Sequence, residues 1–147
     1  MKNFIKNIKY LVIRFSLISK IERDLLFEAF FLCYVFYIVT KILPLKYYLS
    51  LLPNNRTCKN FSREEKIEKI RLIRKTLRRV NRFNFFEFNC LTKSIVFKIL
   101  LNKLGVGSNI VFSVKMIDKK MLAHACVRVN NKTVYLRRLN FTDVFSI

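Results

Sequence analysis

Apolar positions recur at helical spacing through the first hundred residues, then switch to alternation. From Met1 to Ser19, Phe4, Ile5, Ile8, Leu11, Val12, Phe15, Leu17 and Ile18 fit an amphipathic helix, read as the first helix of the core. Leu25 to Leu43 is apolar on every side, the pattern of a helix buried at the centre of a small domain. Membrane contact is the competing reading. Glu28 and Lys41 confine the uncharged stretch to Ala29–Thr40, short of the about 20 residues a span needs. Ser19 or Asp24 is placed to cap this helix, and Pro44 to stop it. Pro53–Asn60 then reads as a polar loop and the internal boundary.

Ser62-Arg63-Glu64-Glu65 is a capping box. The helix it opens puts Ile67, Ile70, Ile73, Leu77 and Val80 on one stripe and Lys66, Lys69, Arg71, Arg74, Lys75, Arg78, Arg79 and Arg82 on the other face. After an aromatic connector, Phe83–Phe88, a helix is predicted over Cys90–Leu104, with Leu91, Ile95, Ile99 and Leu100 inward and Gly105 as its left-handed stop. The period then becomes two. Asn109–Met116 alternates through Ile110, Phe112, Val114 and Met116, Met121–Val129 returns, Asn130-Asn131 turns, and Thr133–Leu136 adds a third strand. The fold class is α+β, N-terminal helices packed with a small antiparallel sheet. One domain over 1–147 is expected, helical to residue 60 and with a catalytic core from 61 to 147.

Composition narrows the partners. Among 147 residues only 2 are Gly and 2 are Pro, favouring long elements over a small β-barrel. The net charge of +20 asks for something acidic: a carboxylate-rich peptide, an anionic lipid surface or nucleic acid. Nucleic acid is disfavoured, because no DNA-reading motif or RNA-binding strand pattern of interleaved aromatics and bases is present. Cys33, Cys58, Cys90 and Cys126 show no CxxC, and a single histidine completes no zinc site, so no metal or cofactor is expected. With no cleavable signal peptide in sight, the expected setting is a reducing cytosol with free thiols, membrane association being the alternative.

The chemistry gathers at Cys90 and His124. A thiol on the first turn of a helix meets unpaired amides and the positive end of the helix dipole, which favour the thiolate. Those amides also suit an oxyanion. His124, the only histidine, stands inside a strand between Ala123 and Ala125, where small neighbours leave room for a sulfur and a substrate chain. A neutral imidazole there can take the thiol proton and return it to a leaving amine. The reading requires thiol and imidazole to share one cleft.

Cys90-Leu91-Thr92-Lys93-Ser94, Leu100-Leu101 with Gly105, Ile110–Val114 and Leu122-Ala123-His124-Ala125 together resemble the lasso-peptide leader peptidases, small bacterial members of the transglutaminase-like cysteine protease superfamily. Arg23–Ala29, the apolar helix ending Leu43-Pro44 and the basic helix before Cys90 extend the resemblance over nearly the whole chain. It implies a cysteine protease that cuts the leader from a ribosomally made precursor, in partnership with a separate leader-recognition protein and an ATP-dependent macrolactam synthetase. The chain looks like the stand-alone peptidase half of such a split system. Two positions depart from the pattern. Cys126 stands where the family usually has an aromatic, and Leu136 where it usually has the aspartate that orients the histidine. Asp143 and Asn140 are the nearest substitutes, if the last strand runs longer, and Asn89 or Asn84 is placed to assist an oxyanion. Acyl transfer instead of hydrolysis stays open, as does a degenerate relative that binds a peptide, membrane surface or nucleic acid without cutting.

Overall fold

The computed structural model describes residues 19–44, 46–47, 52, 59–82, 87–117, 120–136 and 141–146. The helix read over Met1–Ser19 therefore lies outside the described residues but for its last position. So do most of the Pro53–Asn60 loop and most of the Phe83–Phe88 connector. Three helices, α1 (Lys20–Ile42), α2 (Arg63–Arg82) and α3 (Cys90–Lys103), precede four strands: β1 (Asn109–Ile117), β2 (Lys120–Val129), β3 (Lys132–Tyr135) and β4 (Thr142–Ser146). All pairings are antiparallel, in the order β3-β2-β1-β4. The α+β expectation holds.

Local signals set the helix ends. Ser19 Oγ accepts the Glu22 amide, so it and not Asp24 is the cap of α1. The Ser62–Glu65 box closes reciprocally, with Ser62 N donating to Glu65 Oε2 at 2.8 Å and Glu65 N to Ser62 Oγ at 3.2 Å. Gly105, at φ +77°, ends α3 in a Schellman arrangement: Val106 N donates to Leu101 O and Gly105 N to Asn102 O. Asn130 and Asn131 both take positive φ, as the two-residue turn between β2 and β3 demands.

The central helix is α3, not α1. Ile95, Val96, Phe97, Leu100 and Leu101 are wholly buried, between α1 and α2 on one side and the sheet on the other. Helix α1 buries only Leu25, Leu26, Ala29 and Cys33, one stripe of its surface. The α2 stripe is as predicted at Ile70, Ile73, Leu77 and Val80, with Thr76 added and Ile67 left outside. Length and apolarity suggested α1 for the centre. What decides it is the number of layers: a helix between two helices and a sheet is covered on all sides, and only α3 occupies that slot.

The fourth strand was not anticipated. Its apolar residues, Val144 and Phe145, are consecutive and its five positions are all exposed, so neither alternation nor burial marks it. Pairing with β1 creates it, Phe145 stacking on Phe112 at 4.4 Å.

Candidate functional site

Asn89 caps α3 through its Oδ1, which accepts the Thr92 amide at 2.7 Å, and its main-chain carbonyl takes the Lys93 amide at 3.2 Å. Two first-turn amides are thereby used. Those of Cys90 and Leu91 come before the first of these bonds and are the ones positioned for an anion at the helix start. Cys90 itself is half-buried and packs against the cluster of Leu52, Ile95, Ile110 and Ala125.

The course of α3 across the sheet fixes where this turn lies. Ser94 Oγ donates to the Ala125 carbonyl at 3.1 Å, and Phe97 stacks on Tyr135, the cross-strand partner of Val127, at 4.3 Å. The helix thus advances in the direction of β2. Cys90 precedes Ser94 by one turn, roughly 6 Å of helix, which brings it level with Ala123 and His124, since two strand residues span about 6–7 Å.

Level is not the same as face. Ala125 and Val127, with their partners Phe112 and Ile110, point toward α3. Strand alternation sends His124 to the opposite face, in one row with its partners Ser113 of β1 and, beyond it, Asp143 of β4. His124 is only 6 % exposed. It lines a cleft of about 490 Å³ with Ser113, Cys126, Arg128, Asn131, Lys132, Thr133, Phe141 and Asp143, and Cys90 is not among the lining residues. The structure therefore does not place the thiol and the imidazole in the single cleft expected from the sequence. Period-two patterning gave the alternation but not which of the two faces α3 would cover.

The histidine is nevertheless held in a defined state. Its Nε2 lies 2.5 Å from the Leu136 carbonyl, and the Phe141 ring packs at 5.5 Å. A carbonyl only accepts, so Nε2 carries the proton and, in the neutral ring, Nδ1 carries the lone pair. Leu136 supplies this acceptor from its main chain. It follows the end of β3 at a positive φ of 55°. The β2–β3 pairing stops at Val127, so beside His124 no described strand pairs with that edge of β2. Helix α3 also overlies β2 and β3.

The substitutes named for the orienting residue fall elsewhere. Asn140 and Asn84 lie outside the described residues. Asp143 is not on an extended β3 but on β4, two strands from His124. Its carboxylate accepts from Ser113 Oγ at 2.8 Å and pairs with Arg128 at 2.6 Å. The hydrogen bond from Ser113, then the Arg128 guanidinium, hold its pKa below the usual carboxylate range. Ser113 was missed because a strand serine carries no signal until its neighbours are known. Cys126 does share the face of His124, and burial pushes its thiol pKa up. Among the described residues no cluster of three or more His, Cys, Asp or Glu side chains is suited to a metal.

Comparison with known families places the chain. A model described as the transglutaminase-like superfamily matches residues 34–146, a stretch that includes Cys90, His124 and Asp143. Neither comparison with curated proteins nor comparison with solved structures returned a match. With that match running over most of the chain and an α+β fold in which a cysteine opens the helix laid along a histidine-bearing strand, this protein belongs to the transglutaminase-like superfamily.

Proposed function

We propose that this protein is a cysteine peptidase that removes the leader from a ribosomally made precursor of the lasso-peptide kind, with Cys90 as nucleophile and His124 as base. The observation that carries the reading is the Leu136 bond to Nε2. It leaves Nδ1 as the basic nitrogen, at the level of the α3 turn that bears the thiol. Catalytic contacts often tighten only with substrate bound. Here the segment of β2 that bears His124, beside its unpaired edge, has to rearrange when substrate binds, because the strand backbone fixes the face its ring occupies. Nδ1 then takes the Cys90 proton and the thiolate adds to the scissile carbonyl. The oxyanion is met by the Cys90 and Leu91 amides. The imidazolium gives its proton to the leaving amine, and water, deprotonated by His124, opens the thioester and restores the thiol.

The outer face of α2 suits an acidic leader or a separate leader-recognition protein: Arg71, Arg74, Lys75, Arg78, Arg79 and Arg82 line a hollow of about 450 Å³. The freed core would pass to an ATP-dependent macrolactam synthetase.

A second reading is favoured by one observation, the placement of His124 on the face away from Cys90: a relative that binds the precursor without cutting it. Incubation with precursor and recognition protein, followed by mass measurement, separates the two. Leader loss with wild type but not Cys90→Ala supports the peptidase. Intact precursor in both samples, with binding retained, supports the second reading, and an amine adduct would indicate acyl transfer.

A further inference from the structure

From Arg71 to Arg82, α2 carries six cations and no acid. Its own acids, Glu64, Glu65 and Glu68, fall in the first two turns, where they suit the positive end of the helix dipole. Cations three or four residues apart, as Arg71 is from Arg74 and Lys75, and Arg78 from Arg74 and Arg82, face one another and destabilise a helix. Folding does not call for such a row.

The structure divides the six. Arg74 Nε donates to the Val134 carbonyl of β3 at 2.7 Å, and Lys75 and Arg79 pair with Glu22 of α1 at 2.9 and 3.0 Å. Arg71, Arg78 and Arg82 lie between these two anchorages, within about 40° of one line along the helix. They are exposed and make no ion pair with a described residue. Together the six line the hollow of about 450 Å³, and among the described residues nothing else does.

That lining selects the occupant. Arginine, five of the six, presents a planar fork that meets a carboxylate bidentately. A second copy of this chain, at net charge +20, is repelled. Among the described residues the hollow has no aromatic ring to stack a base and no apolar side chain to enter a bilayer. The line from Arg71 to Arg82 is roughly 16 Å long, the reach of about five residues of extended chain. Arg82 stands eight residues before Cys90, so their Cα atoms are at most about 29 Å apart. Roughly nine extended residues bridge that gap, so one substrate chain can lie on α2 and reach the thiol.

We propose that an acidic stretch of the leader binds along α2 as an extended chain, its carboxylates on Arg71, Arg78 and Arg82, and holds the precursor while its scissile bond is at Cys90. The identity of that chain as a leader rests on the peptidase reading of Cys90. The choice of a carboxylate-rich peptide rests on the hollow alone.

Binding is measured in the Cys90→Ala chain, where no cleavage intervenes, by fluorescence anisotropy at about 0.15 M salt. The probe is a labelled peptide of about eight alternating glutamates and alanines, spaced for an extended chain. Arg71→Gln, Arg78→Gln and Arg82→Gln together should weaken binding about tenfold. Lys20→Gln, Lys46→Gln and Lys59→Gln, which remove the same charge elsewhere, should weaken it less than about threefold. Neither triple should melt lower than its parent. Equal losses in the two triples, or no binding to the parent, would overturn the proposal. So would random-sequence single-stranded DNA that loses as much as the peptide when the three arginines are replaced. With Cys90 intact and a precursor that is cleaved, the arginine triple should raise KM about tenfold at unchanged kcat, and a fall in kcat at unchanged KM would overturn the proposal as well. A precursor that binds through the three arginines and is never cut would uphold the α2 site and sink the peptidase reading.

Discussion

Replacing Asn89 separates two roles that one side chain could fill at the start of α3. Its Oδ1 accepts the Thr92 amide at 2.7 Å, which makes it the cap, while its NH2 group is the part that would assist an oxyanion. Asn89→Ala removes both. Loss of a cap costs about 1 kcal/mol, and in a chain of this size that lowers the melting temperature by about 2–4 °C. Asn89→Asp keeps the acceptor, so the cap survives. A carboxylate at the positive end of the helix adds about 0.3–1 kcal/mol of stabilisation. Thermal melts followed by circular dichroism should therefore rank Asn89→Asp at or above wild type, with Asn89→Ala below. The same carboxylate stands beside Cys90 and disfavours its thiolate, so alkylation of Cys90 at pH 8 should slow in the Asp variant. An Asp variant that melts as low as the Ala variant would refute the capping argument and return Asn89 to the role of donor.

Thiol reactivity should follow environment: among the three described cysteines, iodoacetamide labels half-exposed Cys90 first, then Cys126, with Cys33 last because burial pushes its thiol up to about 12; peptide mapping by mass reads the order, and early labelling of Cys33 would contradict the packing of α1. Asp143 has a folded pKa below its unfolded value, so its contribution to stability is complete above about pH 4, the unfolded value, and is lost as pH falls through the lower folded pKa. Ser113→Ala removes the first cause of that shift, so the Asp143 titration seen by NMR should move up, and the acid-side loss of stability should become smaller and be complete at a higher pH; an unmoved titration would show that Arg128 alone sets it. Gly105→Ala should destabilise by about 1–2 kcal/mol, because φ is +77° and the new Cβ would meet the Phe61 ring at 3.1 Å, and denaturant unfolding that shows no loss would deny the left-handed cap.

Much of the architecture is written in short-range patterns. The Ser62–Glu65 box, the α2 stripe, the Gly105 stop and the Asn130-Asn131 turn each depend on residues within a few positions of one another. Alternation through Ile110 and Phe112 likewise announced β1. These features are set by backbone geometry, which neighbours in sequence share. The place of Cys90 at a helix start and of His124 inside a strand was legible on the same basis.

Where a side chain ends up depends on what packs against its element, and no local pattern carries that. Helix α3 took the centre although α1 is the more apolar, because only α3 lies between helices and sheet. It covered the Ala125 face of β2 and left His124 in a row with Ser113 and Asp143. It is the main-chain carbonyl of Leu136 that accepts the hydrogen bond from the ring N–H. The chain by itself determined its helices, its turns and the alternation of its hairpin, since those follow from bonds between near neighbours. Which face meets the helix, which strand joins the edge and which groups surround the imidazole were decided by tertiary packing, since those are contacts between residues far apart in the chain.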